Sequence, residues 1–87
     1  MGNAVYERSE AMHDLLDLME KCRKLDAEIR FSARNRNFTV MVWQGWDAPD
    51  PKNHAKAIQT QVKELAKQYP RVTCYCFDDF STLLYVV

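Results

Sequence analysis

The stretch "RVTCYCFDDFSTLLYVV" near the end of the sequence constrains the fold more than any other part of the chain. It contains two strand-like runs that flank Asp78 and Asp79, and the second run carries apolar residues at both odd and even positions. Neighbouring residues of a strand point to opposite faces of a sheet, so a strand covered on one face needs an apolar residue only at every second position. The second run therefore predicts a sheet with two apolar faces, both of which need a cover.

Two other segments have the apolar spacing of amphipathic helices. From Asn3 to about Leu25 the chain has neither Pro nor Gly, and its apolar residues recur at helical intervals. The second segment begins at Pro51, with Asp50 as its predicted N-cap, and its apolar face continues up to Pro70. We expect one helix in each segment.

The residues between these helices have the pattern of a β-hairpin. Polar and apolar residues alternate from Ala27 to Ala33, and the run from Phe38 to Trp43 has strand composition. The Asn-rich segment between the two runs predicts the turn, because Asn tolerates left-handed backbone conformations. The first hairpin is therefore centred on residues 34–37.

The resulting order is helix, hairpin, helix, hairpin (αββαββ), which predicts a single α+β domain over residues 1–87. Strands joined by hairpins favour a four-stranded, mainly antiparallel sheet, and we expect a two-layer sandwich with both helices on one face. Moving the first strand of a ferredoxin-like fold to the C-terminus gives the same order, because that strand lies beside the last one. A permuted ferredoxin-like sheet is the predicted topology, and a plain meander is the alternative.

The alternation assigns each strand residue to one of the two faces. We expect the following residues to face the helices: Ile29, Phe31, Val40, Val42, Val72, Cys74, Cys76, Leu84 and Val86. We expect the following residues to point away from the helices: Met41, Trp43, Tyr75, Phe77, Leu83, Tyr85 and Val87. The second set is large and aromatic, and soluble monomers rarely expose a contiguous patch of this kind.

This second face predicts a surface that binds a protein partner, with a homodimer as the simplest case, because aromatic residues and Met are enriched in interface cores. A loop tryptophan is a typical interface anchor, which adds Trp46. The predicted partner-binding residues are Met41, Trp43, Trp46, Tyr75, Phe77, Leu83 and Tyr85. The alternative is a last strand shifted by one residue, or a face covered by the N-terminal segment and the Trp46 loop.

No arrangement of residues in the sequence predicts catalysis, a cofactor or a metal site. Cys74 and Cys76 share one side of a strand, but zinc needs four ligands, and Cys22, His13 and His54 lie on predicted helices without a second paired motif. We expect the cysteines to stay reduced and to serve as small apolar core residues. We expect both histidines to be solvated.

Arginines around the first hairpin suggest an alternative function. Arg30, Arg34 and Arg36 would contact phosphates there, with Phe31 or Phe38 stacking on bases. The formal net charge of the chain is zero, however, and affinity for nucleic acid depends strongly on an excess of positive charge. Binding of single-stranded nucleic acid is therefore the alternative rather than the favoured function.

The favoured function is a small, non-enzymatic protein-binding module without cofactor or metal. Asp14 and Asp17 share a helix face, but their spacing is equally that of a solvated face, so we expect no catalytic pair. The absence of a long apolar run and of a secretory signal predicts a cytoplasmic protein without membrane contact. Small neutral chains of this kind include bacteriophage accessory proteins that block a host enzyme by occupying its surface, an association that suggests an inhibitor.

Overall fold

The computed structural model describes residues 3–34, 37–44 and 51–86. These residues form helix α1 (Asn3–Cys22), strands β1 (Ala27–Arg34) and β2 (Asn37–Gln44), helix α2 (Pro51–Ala66), and strands β3 (Thr73–Cys76) and β4 (Thr82–Val86). The predicted α+β class and the αββαββ order are confirmed. None of the helices in the described part combines the length and the hydropathy needed to cross a membrane. The predictions for Arg36, Trp46, Asp50 and Val87 concern residues outside the described ranges.

The four strands form one antiparallel sheet in the order β1-β2-β4-β3. A meander would follow the chain order, so that alternative is wrong. The observed order is the one that results when the first strand of a ferredoxin-like sheet becomes the last strand. It makes β4 a central strand, which explains why this run is apolar on both sides.

Both helices pack on one face of the sheet, as the sequence predicts. The register places Val40 opposite Leu84 and Phe38 opposite Val86. The buried cluster between the layers includes, from the helices and then the strands, Leu15, Leu18, Met19, Cys22, Ile58, Val62, Val40, Val42, Leu84 and Val86. Burying an aliphatic side chain of this size contributes about 1.5–3 kcal/mol, so this layer carries most of the stability of the fold.

A row of polar contacts fixes α1 against the turn that links α2 to β3. Arg71 donates to Glu10 Oε2 and to Asp14 Oδ2, each at 3.2 Å. The Tyr69 hydroxyl donates to Asp17 Oδ2. The spacing of the three carboxylates puts them on one side of α1, but their partners lie 57 and 52 residues away from Asp14 and Asp17. The expectation that this pair is a solvated face is therefore incomplete, because both carboxylates hold tertiary contacts.

Residues 77–81 link β3 to β4, and Phe77 and Ser81 flank a three-residue turn made of Asp78, Asp79 and Phe80. Phe77 closes it, since its N–H donates to the Ser81 carbonyl at 2.9 Å and its carbonyl accepts from the Phe80 N–H at 3.0 Å. Phe80 has a φ of 68°, a left-handed conformation that costs a bulky residue about 1–3 kcal/mol. Asp79 Oδ1 accepts from both the hydroxyl and the N–H of Ser81, and these bonds lower the pKa of Asp79.

Two residues differ from their predicted surroundings. Phe31 lies on the helix-facing side, opposite Val40, but its side chain is 39% exposed rather than in the core. All of residues 31–34 are exposed, so the layer of helices ends before this part of β1, and the Phe31 ring stacks on Phe38 with 6.5 Å between centroids. His54 is half-buried rather than solvated, with Nε2 2.9 Å from the Asp26 carbonyl and 3.3 Å from Asp26 Oδ2.

Candidate protein-binding face

The side of the sheet that points away from the helices is built from alternate residues of neighbouring strands. We call it the outward face and define it by the described members of the predicted set: Met41, Trp43, Tyr75, Phe77, Leu83 and Tyr85. Met41 lies opposite Leu83, and Leu83 lies opposite Tyr75, so one apolar row crosses three strands. Tyr85 lies beside this row, between Thr39 and Thr73. The pairing register therefore places the five strand residues of this set on one face, as predicted, and Phe77 directly follows β3.

The outward face is far less covered than the face beneath the helices. Tyr75 is 55% exposed and Phe77 is 37% exposed, and the other four members are partly exposed. On the helix side of the same strands, Val40 and Leu84 are both 0% exposed. Exposed apolar area is unfavourable in water by about 25 cal/mol per Å², so a molecule that covers the outward face gains free energy.

Tyr75 and Phe77 form a fixed aromatic pair at one side of the outward face. Their ring centroids are 4.8 Å apart with an angle of 75° between the ring planes, an edge-to-face arrangement. The Gln59 amide nitrogen of α2 donates to the carbonyls of Phe77 and Ser81 at 3.1 and 3.0 Å. This clamp holds the backbone at the end of β3, and a surface that is ordered before binding loses less entropy when a partner docks.

Charged and polar residues border the outward face along β1 and the far end of β2. The Arg30 guanidinium lies 5.8 Å from the centroid of the Trp43 ring, a cation–π geometry. Glu28 lies opposite Trp43, so both signs of charge occur on this border. A shallow polar depression at the hairpin end is lined by Ser32, Arg34, Asn37 and Thr39. An apolar centre with a polar rim is the usual anatomy of a protein interface.

The structure separates the residues of the nucleic-acid alternative. Arg30 and Arg34 belong to the outward side of β1, whereas Phe31 and Phe38 stack on the opposite, helix-facing side. These two arginines and the Phe31–Phe38 pair therefore belong to different surfaces, because adjacent strand residues point to opposite faces, and the binding of nucleic acid stays a prediction. Trp43 is the aromatic ring that accompanies Arg30, a pairing that the sequence analysis did not identify.

The three cysteines are free thiols on the helix side of the sheet. Cys22 is 0% exposed, and burial raises its pKa to about 11. Burial also raises the pKa of Cys74 to about 11, with a further contribution from Cys76. A protonated thiol is a poor nucleophile and metal ligand. In residues 3–34, 37–44 and 51–86, no three His, Cys, Asp or Glu side chains form a group that would hold a metal ion, and the lack of a cofactor stays a prediction.

Thr82 is a buried polar residue that the sequence analysis did not single out. It is 0% exposed, and Oγ1 has no hydrogen-bond partner among the residues that the structure describes. Thr82 lies opposite Val42 in β2 and Cys76 in β3, directly under the helices. The sequence contains the information to predict this burial, because Thr82 lies two positions before Leu84 in β4 and therefore points to the same, helix-facing side.

Comparison with known proteins gives no relative of this chain. No family model matches it, and no match was found among curated proteins or solved structures. Its function is therefore inferred from the outward face and its surroundings.

Proposed function

We propose that the protein is a small, non-enzymatic module that binds another protein through its outward face. The observation that carries this proposal is the contrast between the two sides of one sheet. The helices bury the first side, whereas Tyr75, Phe77 and their neighbours leave an apolar, aromatic surface on the second side open to solvent. Large aromatic residues are typical anchors of protein interfaces.

A second copy of the chain is the first partner to consider. One self-complementary patch closes a symmetric dimer in a single step. Glu28 and Arg30 give the border of the outward face both signs of charge, so a two-fold contact is able to bring opposite charges together. The formal net charge of zero also removes the long-range repulsion between copies.

A module of this kind acts on its partner by occupying a surface. Inhibition of an enzyme then needs no catalytic residue in the module, only a docking face that blocks access to a substrate or a subunit. Burial raises the pKa of Cys22 and of Cys74 to about 11, so these two thiols are protonated and poorly nucleophilic at neutral pH, in agreement with this interpretation.

The test replaces two apolar residues of the outward face by charged ones, Leu83→Lys together with Tyr85→Glu. Burying unpaired charges in an interface is strongly unfavourable, so we expect the mass of the assembly to halve while the circular dichroism spectrum stays unchanged. Sedimentation velocity at about 5 µM measures the mass, because a weaker contact elsewhere on the chain is not populated at that concentration. The matched control places the same charges on the exposed side of α2, as Thr60→Lys with Gln61→Glu, and should keep the wild-type mass.

Capture from a cell extract extends the same test to partners other than a second copy. Proteins retained by the wild type and by the control, but lost by the face variant, support the proposal. The proposal fails if the face variant keeps the wild-type mass and also captures the same proteins. Should the double variant lose its structure, Tyr75→Glu replaces it, because this side chain is already 55% exposed.

A second candidate function, binding of single-stranded nucleic acid, is favoured by one observation. Arg30 and Arg34 share the side of the sheet that carries Trp43 and Tyr75, so cations and open aromatic rings lie on one surface. Stacking of a base on an aromatic ring contributes about 1–3 kcal/mol. The balanced charge of the chain argues against tight binding, because few phosphates would be neutralised.

Fluorescence anisotropy with labelled oligo(dT) and oligo(U) tests this candidate. If it is correct, changing Arg30, Arg34 and Arg36 together to Ser abolishes binding, and the affinity of the wild type falls steeply with salt. A wild type without measurable affinity at low salt eliminates it.

A further inference from the structure

β1 is the longer of the two edge strands of the sheet. It has 8 residues, compared with 4 in β3 at the other edge. Among the described strands, β1 pairs only with β2, and most of its residues are exposed. Proteins usually shorten or cover an edge strand, because a long exposed edge readily pairs with a strand of another molecule. β1 has the properties of a strand that receives such a partner.

Phe31 marks the position along β1 where a partner strand is expected. Its side chain is 39% exposed although it lies on the helix-facing side, so packing in the core does not account for it. Its ring stacks on Phe38 of the adjacent strand, with 6.5 Å between centroids. On the free side of β1, a paired strand would place another side chain beside this ring, and aromatic pairs across strands are stabilising.

We propose that β1 pairs with β1 of a second copy, antiparallel and about a two-fold axis at Phe31. Residues that lie opposite each other in an antiparallel pair point to the same face of the sheet, and so must be an even number of positions apart in the sequence. In a two-fold pair of identical strands, one residue therefore lies opposite its own copy, and the axis passes between these two residues. An axis at Arg30 sets Arg30 against its own copy, and an axis at Ser32 sets Arg30 against Arg34. Both arrangements bring like charges directly opposite each other, which is destabilising.

The two remaining axes near the middle of the strand differ in how much of it they pair. An axis at Ile29 matches Glu28 with Arg30 but leaves residues 32–34 opposite positions that precede β1. An axis at Phe31 pairs the strand from Glu28 to Arg34, sets the two Phe31 rings side by side and matches Glu28 with Arg34 twice. Charge complementarity and length of pairing therefore select the same axis, and they select a second copy of this chain as the occupant.

Edge pairing would join the two sheets into one of eight strands. A two-fold axis perpendicular to the sheet keeps both pairs of helices on one side and both outward faces on the other. A partner would then meet two outward faces on one continuous surface. The contact uses other residues than the outward face, so it goes beyond the proposed function and does not depend on it.

The test uses the full chain with Leu83→Lys and Tyr85→Glu, so that any contact through the outward face is removed. At about 100 µM, where contacts of micromolar affinity are populated, we expect sedimentation equilibrium to show a dimer. In this chain, Glu28→Arg sets two arginines opposite each other and Arg34→Glu sets two glutamates opposite each other, so each change should weaken dimerisation about tenfold or more. Both residues are exposed, and circular dichroism checks that each variant is folded.

An equimolar mixture of the two single variants is the decisive sample. In a mixed dimer with its axis at Phe31, the Arg introduced at position 28 lies opposite the Glu introduced at position 34. The native Arg34 of the first chain lies opposite the native Glu28 of the second chain. Both pairs therefore again have opposite charges. The mixture should therefore dimerise with the affinity of the parent chain, which carries only the Leu83 and Tyr85 changes. One chain that carries both charge changes should do the same.

Three results would contradict the proposal. A parent chain that is monomeric up to this concentration overturns edge pairing. Single variants that dimerise like the parent, or a mixture that stays monomeric, overturn the axis at Phe31. If the outward face binds nothing, the changes at Leu83 and Tyr85 do not affect association, and dimerisation through β1 is still measured.

Discussion

Leu83 and Leu84 are neighbours in β4 and have the same side chain, yet their surroundings differ completely. Leu84 is 0% exposed in the cluster beneath the helices, whereas Leu83 is partly exposed on the outward face. The pleat of the strand sends them to opposite sides, but only the helices exclude water from one of those sides. The same apolar pattern therefore stabilises the fold where the chain covers it and favours binding where the chain leaves it open.

The largest expected effect comes from truncating each leucine in turn. Leu84→Ala leaves a cavity in a packed core and should lower the free energy of unfolding by about 2–5 kcal/mol. Leu83→Ala removes a side chain that is already partly in water and should cost less than about 1 kcal/mol. Urea denaturation at low protein concentration, where association does not contribute, measures both values.

Equal losses for the two variants would break this comparison. They would mean that the outward face is covered within the monomer, as in the alternative in which the N-terminal segment and the Trp46 loop fold over it. A small loss for Leu84→Ala would instead indicate that the helices pack loosely on the sheet.

The sequence predicts the two faces well because alternation is a local property. Every strand residue assigned to the outward face in the described part lies there, and the position of β4 between β2 and β3 follows from the permuted ferredoxin-like order. The sequence does not predict how far the layer of helices extends over the sheet. Phe31 has the parity of a core residue, but the layer of helices ends before it, and alternation contains no information on that boundary.

Contacts between distant segments are the other part that the sequence leaves open. Asp17 and Tyr69 meet across 52 residues, and His54 reaches Asp26 across 28. Phe80 takes a left-handed conformation that local preference would give to glycine, between residues whose backbone is held by Gln59 and Asp79. Neither these two long-range contacts nor the conformation of Phe80 is predicted by residue type or by spacing along the sequence.

A smaller effect is expected from alkaline pH, and it reports on the covered face. Burial raises the pKa of Cys22 from 9.0 to about 11, so the unfolded chain loses this proton at lower pH than the folded chain does. The contribution of the buried Cys22 thiol to the free energy of unfolding is therefore fully present below pH 9.0 and is lost as the pH rises through about 11. A tenfold change in proton affinity corresponds to about 1.4 kcal/mol, so this roughly hundredfold change corresponds to a loss of about 3 kcal/mol.

Cys22→Ala serves as the control for this pH dependence. Other groups titrate in the same range, so the quantity to measure is the difference in unfolding free energy between the wild type and the variant at each pH. We expect this difference to shrink from pH 9.0 to about 11. A difference that is constant with pH would show that water reaches Cys22, and the contrast between the two faces would be weaker than the burial indicates.

The smallest expected effect is a gain, and it tests whether the covered face is dry at its centre. Thr82 Oγ1 is buried without a hydrogen-bond partner in the described part of the chain, and such a hydroxyl costs about 1–3 kcal/mol. Thr82→Val keeps the branched shape and removes the hydroxyl, so it should raise the free energy of unfolding by about 1 kcal/mol. Thr73→Val makes the same change at an exposed position of β3 and should stay within about 0.5 kcal/mol of the wild type. Chemical denaturation of both variants gives the comparison, and a Thr82→Val chain less stable than the wild type would mean that the hydroxyl is bonded and that this side of the sheet is not purely apolar.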